Sequence, residues 1–367
     1  MPVVLDYIAY LTAQRATREL AHAALPDSPT APVAVQPPRA GGFAGAPRWP
    51  CTGSPTVCSQ HDHGPGRPST LGLPPPASGR VPGCRQLPEA LRREGIVDRL
   101  GAVDAGRVEP APYSAELDPL TGVRNGATIP GFSVRLADRV EQLLRAGSFP
   151  LVLGGDCSIL LGSMLALRRR SRYGLVSLDG GLDFRHPGNT ERVGPVGSLA
   201  GEDLAVVTGR GPEQLTNLEG HRPLVRDGDI VAVGHRTVQG FEEVLQSGMT
   251  LFDVAALRRL GASAVAASAL QVLGAHHLQG LWIHLDVDVL DPELMPAVDS
   301  PEPDGLTWEE LVELLGGFTA AELAVGMQVT IFDPDLDPDG RLARQLTDAL
   351  VAGLTGRHAT PPGRHAA

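Results

Sequence analysis

Three short stretches place acids or a thiol directly after apolar runs. Asp156-Cys157-Ser158 follows FPLVLGG, Asp179-Gly180-Gly181-Leu182-Asp183 follows YGLVSL, and Asp286-Val287-Asp288 follows LWIHL. Side chains alternate along an extended strand, so 179, 181 and 183 would share one face if the strand ran that far, as would 286 and 288. Four carboxylates, Asp179, Asp183, Asp286 and Asp288, would then converge. Without a cation such acids repel one another and hold protons, whereas a divalent metal relieves the repulsion and is held by oxygen. The pattern points to a metal site. Taken singly the pieces have plainer explanations. Gly154-Gly155 could be a tight turn, Cys157 a small buried hydrophobe, and Asp179 and Asp183 turn caps in solvent. DVDVLDP resists that treatment, because acids packed straight after an apolar strand are costly in a sheet interior unless neutralised or paired.

The elements that must carry these residues alternate. FPLVLGG, YGLVSLD, DIVAVGHR and GLWIHLDVD are strand-like, and SILLGSMLALRRR, FDVAALRRL and AVAASALQVL are helical. Continuously apolar strands in this order predict a mainly parallel sheet buried on both faces by helices, an α/β fold with ligands at the carboxyl ends of its strands. QLPEALRREGIVDRL and FSVRLADRVEQLLRAG add amphipathic helices, so the folded region begins near residue 86. Ahead of it, residues 26–83 are crowded with Pro, Gly, Ser and Thr, and a poorly ordered segment is expected there. MPVVLDYIAYLTAQRATRELAHAAL could be a strand running into a helix or one amphipathic helix. The tail 357–367 should fray.

The 367 residues carry 42 acids against 31 bases, a net charge of −11, which argues against a nucleic-acid surface and permits an acidic pocket for cations. Four cysteines, at 51, 58, 84 and 157, are too sparse for a disulfide scaffold, and no signal peptide is evident. A cytoplasmic, reducing location is expected. No apolar run approaches the roughly 20 residues of a membrane span.

GGDCS, SLDGGLDF and HLDVDVLDPELMPAVDSPEPDGLT occur in the order and at the intervals of arginases, agmatinases and related ureohydrolases, and the chain resembles that family over roughly residues 84–356. The resemblance implies a three-layer α/β/α domain over 84–356 after a divergent 1–83. It also implies a homo-oligomer and a pair of manganese ions whose bridging hydroxide attacks an amidine or guanidinium carbon. Carried over by position, Asp179 and Asp286 match the bridging carboxylates, Asp183 a ligand of the first metal and Asp288 a ligand of the second. Asp183 would also orient the hydroxide. Cys157 stands where the family has histidine, and a thiolate shifts preference toward softer ions such as zinc.

The departures bear on chemistry. Gly181 occupies the histidine position of DxHxD, so the second ion loses its nitrogen ligand and should bind weakly. His186 could fill the gap, but it lies beyond the strand's alternation and ahead of Pro187, which places it in the loop. A His-Gly whose histidine moves protons to the leaving amine is replaced at Ala200. The glutamate that pairs with a guanidinium is replaced by Gln328 or Ile331, depending on where the gap falls. Arginine itself is therefore not the expected substrate. His186 and Asn189, in the 184–204 loop, are the expected contacts for a small guanidino or amidine substrate. A strand expected near residues 60–75 meets PGRPSTLGLPPPAS instead, a poor composition for a sheet interior.

Other candidates are weaker. Cys51, Cys58, His61 and His63 hint at a zinc knuckle, but the spacing fits no common finger. His276-His277 is expected at a helix-end surface, with no charge network around it. GGDCS lacks the G-x-S-x-G spacing of a nucleophile elbow. The expected function is metal-dependent hydrolysis of a non-peptide C–N bond in an amidine, guanidino or ureido compound. The alternative is a non-catalytic relative serving as a regulatory or assembly subunit.

Overall fold

The computed structural model describes residues 83–355 and the backbone of residues 55–60. The expectations for the first 25 residues, the side chains of the Cys51–His63 cluster and the tail lie outside the described residues.

Among the described residues, eight strands form one all-parallel sheet: β1 Pro55–Gln60, β2 Val103–Val108, β3 Phe149–Leu153, β4 Gly174–Leu178, β5 Ile230–Val233, β6 Thr250–Phe252, β7 Leu281–Asp286 and β8 Ala324–Thr330. Their order is β2-β1-β3-β8-β7-β4-β5-β6. Every residue of β3, β4, β5 and β7 is buried, which is what helical cover on both faces requires. The principal helices are α1 Leu87–Arg93, α2 Ile129–Arg145, α3 Leu160–Arg168, α4 Asp203–Val207, α5 Val254–Leu260, α6 Ala262–Gly274, α7 Trp308–Thr319 and α8 Arg341–Thr355. In α2 the buried residues Ile129, Phe132, Leu136, Val140 and Leu143 recur every three or four positions and form the stripe that packs on α3. A capping box between Thr307 and Glu310 starts α7, which packs against α6 and α8. The sheet lies between the two helical layers, giving the expected three-layer α/β/α domain.

The strand sought near 60–75 is β1, which begins earlier and pairs with both β2 and β3. Its proline is the first residue, where a missing N–H costs the ladder least. Two edge strands, β2 and β6, carried no clear apolar pattern; β6 has only three residues.

Register explains why the acids meet. Leu153, Val329, Leu285, Leu178 and Val233 form one row across β3, β8, β7, β4 and β5. One residue further on, Asp179 and Asp286 stand at the same level at the ends of adjacent strands, with Thr330 paired to Asp286. Residues aligned in a parallel sheet point to the same face.

Candidate metal centre

The three strands that supply the acids and the thiol, β3, β7 and β4, lie together in the sheet, with β8 between β3 and β7. Alternation does not deliver all of them, contrary to the extended backbone expected. After β4 ends at Leu178, Gly181 N–H donates to Asp179 Oδ1 at 2.7 Å and the chain turns, with Asp183 at φ 42°. After β7, Asp286 caps one 3-10 turn, Val287–Val289, its Oδ1 accepting from Asp288 N–H at 2.9 Å. Asp288 in turn accepts from Gly180 N–H at 3.0 Å, tying the two acidic loops together. Asp156 caps the 3-10 turn Cys157–Ile159 after β3. That turn aims the buried Cys157 thiol at Asp286 Oδ2, 2.8 Å away, and at Thr330 Oγ1, 3.1 Å away.

Burial, and then the neighbouring carboxylates, push Asp179, Asp183 and Asp286 well above the usual carboxylate range. Burial also raises Asp288, and burial followed by the field of Asp286 raises the Cys157 thiol. The Arg236 guanidinium offsets part of this at Asp179 and Asp288; it is held by the carbonyls of Gly234, Asp288 and Leu290. So crowded an anionic cluster suits a cation.

Three groups of potential ligand atoms lie within 4.8 Å of one another among the described residues: Cys157 with Asp183 and Asp286, Cys157 with Asp203 and His284, and Asp179 with His284 and Asp286. Asp203 Oδ2 and His284 Nε2 are buried without a hydrogen-bond partner, as donors and acceptors left for a ligand would be. The residues present therefore fit one divalent ion at Cys157, Asp183 and Asp286. They fit a second less well, since Gly181 offers no donor and Asp288 belongs to none of the three groups.

Asp203 and His284 were not anticipated. His284 was legible in principle, being two residues before Asp286 on the same face of β7. Asp203 begins α4, far along the loop, and only the fold brings it here.

A cavity of about 220 Å³ opens beside the acids, lined among others by Asp183, Arg185, Ala200, Asp299, Glu302 and Ile331. Of the two positions considered for the missing glutamate, Ile331 lines this cavity, whereas Gln328 is buried within β8. Ile331 has φ 77°, a costly conformation for a β-branched residue, and its N–H donates to Gly155 O at 2.8 Å. His186 and Asn189 are not among the cavity-lining residues. His186 Nε2 lies 2.9 Å from Glu243 Oε1, and Asn189 Nδ2 donates to the same oxygen and to Phe184 O. Both residues tie the loop to the segment around Glu243. His276 also departs from expectation: its Nδ1 is 3.0 Å from Asp229, which takes a bidentate contact from Arg172.

Residues 70–356 match the Arginase family. The arginase of Bacillus subtilis (strain 168) is 28% identical over 301 residues, covering 79% of this chain and 97% of that protein. The solved arginase of Bacillus caldovelox superposes with a TM-score of 0.72 at 25% identity, covering 83% of this chain and 98% of that one. The solved formimidoylglutamase of Bacillus subtilis gives 0.61 at 18% identity, covering 84% and 88%, and supports the fold. With the acid-bearing strand ends and the three-layer sheet in place, this match over most of its length means that the chain belongs to the arginase family.

Proposed function

We propose that the protein is a metal-dependent hydrolase of a non-peptide C–N bond in a small amidine, guanidino or ureido compound other than arginine. The observation that carries this is the approach of Cys157, Asp183 and Asp286 to within 4.8 Å of one another beside the cavity. These residues, with Asp179 nearby, would hold one divalent ion, manganese as in the family or zinc through the thiolate. Bound there, the ion would supply Lewis-acid polarisation and neutralise the acids. Asp183 reaches the cavity with a raised affinity for protons, so it is placed to orient a water, take its proton and return it to a leaving amine. Asp299 and Glu302 offer carboxylates to a cationic amidine, a charge partner that β8 does not provide. Arg185 on the same wall suits an anionic group elsewhere on the substrate. Ala200 cannot move a proton and Ile331 cannot pair with a guanidinium, which speaks against arginine.

Those same two residues, both lining the cavity, favour a second reading, a non-catalytic family member. Metal content of the purified chain, with ammonia and urea release from a panel of guanidino, amidine and ureido compounds, separates the two. Release that is lost in Asp183→Asn supports the hydrolase. Metal binding without release from any compound supports the second reading.

A further inference from the structure

Arg185 is a cation on the cavity wall that the fold does not use. Among the described residues its exposed guanidinium has no hydrogen bond and no ion pair. Its charge opposes the rise that burial causes at Asp183 and Glu202, so both acids are near. Yet Glu202, 2% exposed, accepts instead from the N–H groups of Gly197 and Ser198, at 2.8 and 3.1 Å. A guanidinium left with all its donors suits a planar, two-oxygen anion, above all a carboxylate.

Backbone contacts fix where that cation stands relative to the acids. Arg185 N–H donates to Gly201 O and Ala205 N–H donates to Asp183 O, both at 3.4 Å, so the 183–185 and 201–205 segments hold each other. A Cβ placed on Gly201 would lie 3.4 Å from Arg185 Nη1 and 4.0 Å from Asp183 Oδ1. The guanidinium and the carboxylate that orients water therefore flank a single glycine, and all three residues line the cavity. A carboxylate docked on Arg185 takes hydrogen bonds of about 2.7–2.9 Å, and a carbon attacked by water held on Asp183 lies roughly 3–3.5 Å from that water. Anchors this close leave room for only a few bonds between the substrate's carboxylate and its reacting carbon. Arginine, whose chain is longer, overshoots that span.

We infer that the substrate is a short guanidino acid, with one or two carbons between the guanidino nitrogen and a carboxylate held by Arg185. This rests on the hydrolase reading above. Asp299 and Glu302, in the same cavity, favour a cationic guanidino group over a neutral ureido one, and Ser198 and Thr237 add hydroxyls for the carboxylate. Water adds through its oxygen to the guanidino carbon, and the bond from that carbon to the linker nitrogen breaks with its electron pair staying on nitrogen. Both protons of the water end on that nitrogen, one of them by way of Asp183. Urea and a short amino acid leave.

The test uses the full chain loaded with Zn²⁺ or Mn²⁺ and the series guanidinoacetate, 3-guanidinopropanoate, 4-guanidinobutanoate and 5-guanidinopentanoate, with urea release as the readout. The expected kcat/KM is highest for the first two and lower by about 100-fold for the last. Guanidinoacetamide, which lacks the negative charge, should lose about tenfold or more against guanidinoacetate, and so should Arg185→Gln acting on the acid. The two losses should not add, because they remove one contact. Calorimetry of guanidinoacetate on the metal-free chain should show a similar weakening, of about tenfold, in Arg185→Gln. Arg185 is exposed, so this variant should keep the fold, and the comparison of acid with amide in the wild type needs no variant. If the rate peaks at three or more linker carbons, if only compounds outside the series are cleaved, or if Arg185→Gln affects acid and amide equally, this inference falls and the proposed function stands. If no guanidino, amidine or ureido compound is cleaved, both fall.

Discussion

Cys157 Sγ lies 2.8 Å from Asp286 Oδ2, with the thiol donating into the carboxylate. Burial holds the proton on the sulfur, so an entering cation must displace it, and an ion that binds thiolate strongly does so most readily. The chain should therefore prefer Zn²⁺ to Mn²⁺, and Cys157→Ser should narrow that preference by about tenfold or more. Competition against a fluorescent chelator measures both constants. Equal preference in the two proteins would mean that the sulfur is a bystander.

Gly181 is the place to rebuild a second ion. Its φ is ordinary, and a Cβ there would meet Asp183 Oδ1 at 3.2 Å and Asp179 Oδ1 at 3.6 Å, so a side chain enters among the carboxylates after a small shift of Asp183. Gly181→His should raise the ion count per chain when the protein is saturated with Mn²⁺, as read by elemental mass spectrometry. No rise would show that the imidazole points elsewhere.

Much of this centre was legible because the chemistry sits at the ends of strands whose apolar character is continuous. Asp179 and Asp286 follow such runs, and the register of β4 against β7 places them side by side. Asp183 and Asp288 arrive by turns, which a rule of alternation does not foresee. The 284, 286 spacing was visible, but the identity of the partner was not, since His284 and Gln328 are 44 residues apart and meet only through the pairing of β7 with β8. Asp203 left no local signal, because its burial depends on the 184–203 segment folding back over the strand ends. β1 was misplaced because PTVCSQ has neither a continuous apolar run nor clean alternation.

Gln328 is the hinge of the Trp282–Gln328–His284 chain, all three being wholly buried. Gln328→Leu fills similar space but leaves the indole N–H without an acceptor and His284 free to change tautomer. Each stranded buried group costs about 1–3 kcal/mol, so denaturant unfolding should show a loss of that order. The same variant should weaken metal binding if the orientation of His284 matters. A variant as stable as wild type would mean that water replaces the amide.

His235 reports on acid stability from outside the carboxylate cluster. It is 2% exposed with Nδ1 unpartnered, and its pKa is lowered to about 4, chiefly by burial and further by Arg236, with Asp253 opposing. In the unfolded chain the imidazole takes its proton as pH falls through about 6.5, whereas in the folded chain it does so only near 4. The unfolded state thus binds more protons in that window, so this contribution is complete above 6.5 and is lost as pH falls toward 4. A displacement of that size corresponds to roughly 3 kcal/mol. The raised carboxylates act in the opposite sense, because the metal-free native state holds their protons longer and loses stability as pH rises. Subtracting the pH profile of His235→Gln from that of the wild type, both metal-free, cancels the carboxylates. The difference should fall as pH drops from 6.5 to 4 and level off below. A flat difference would mean that His235 is already protonated in the fold, with Asp253 outweighing burial.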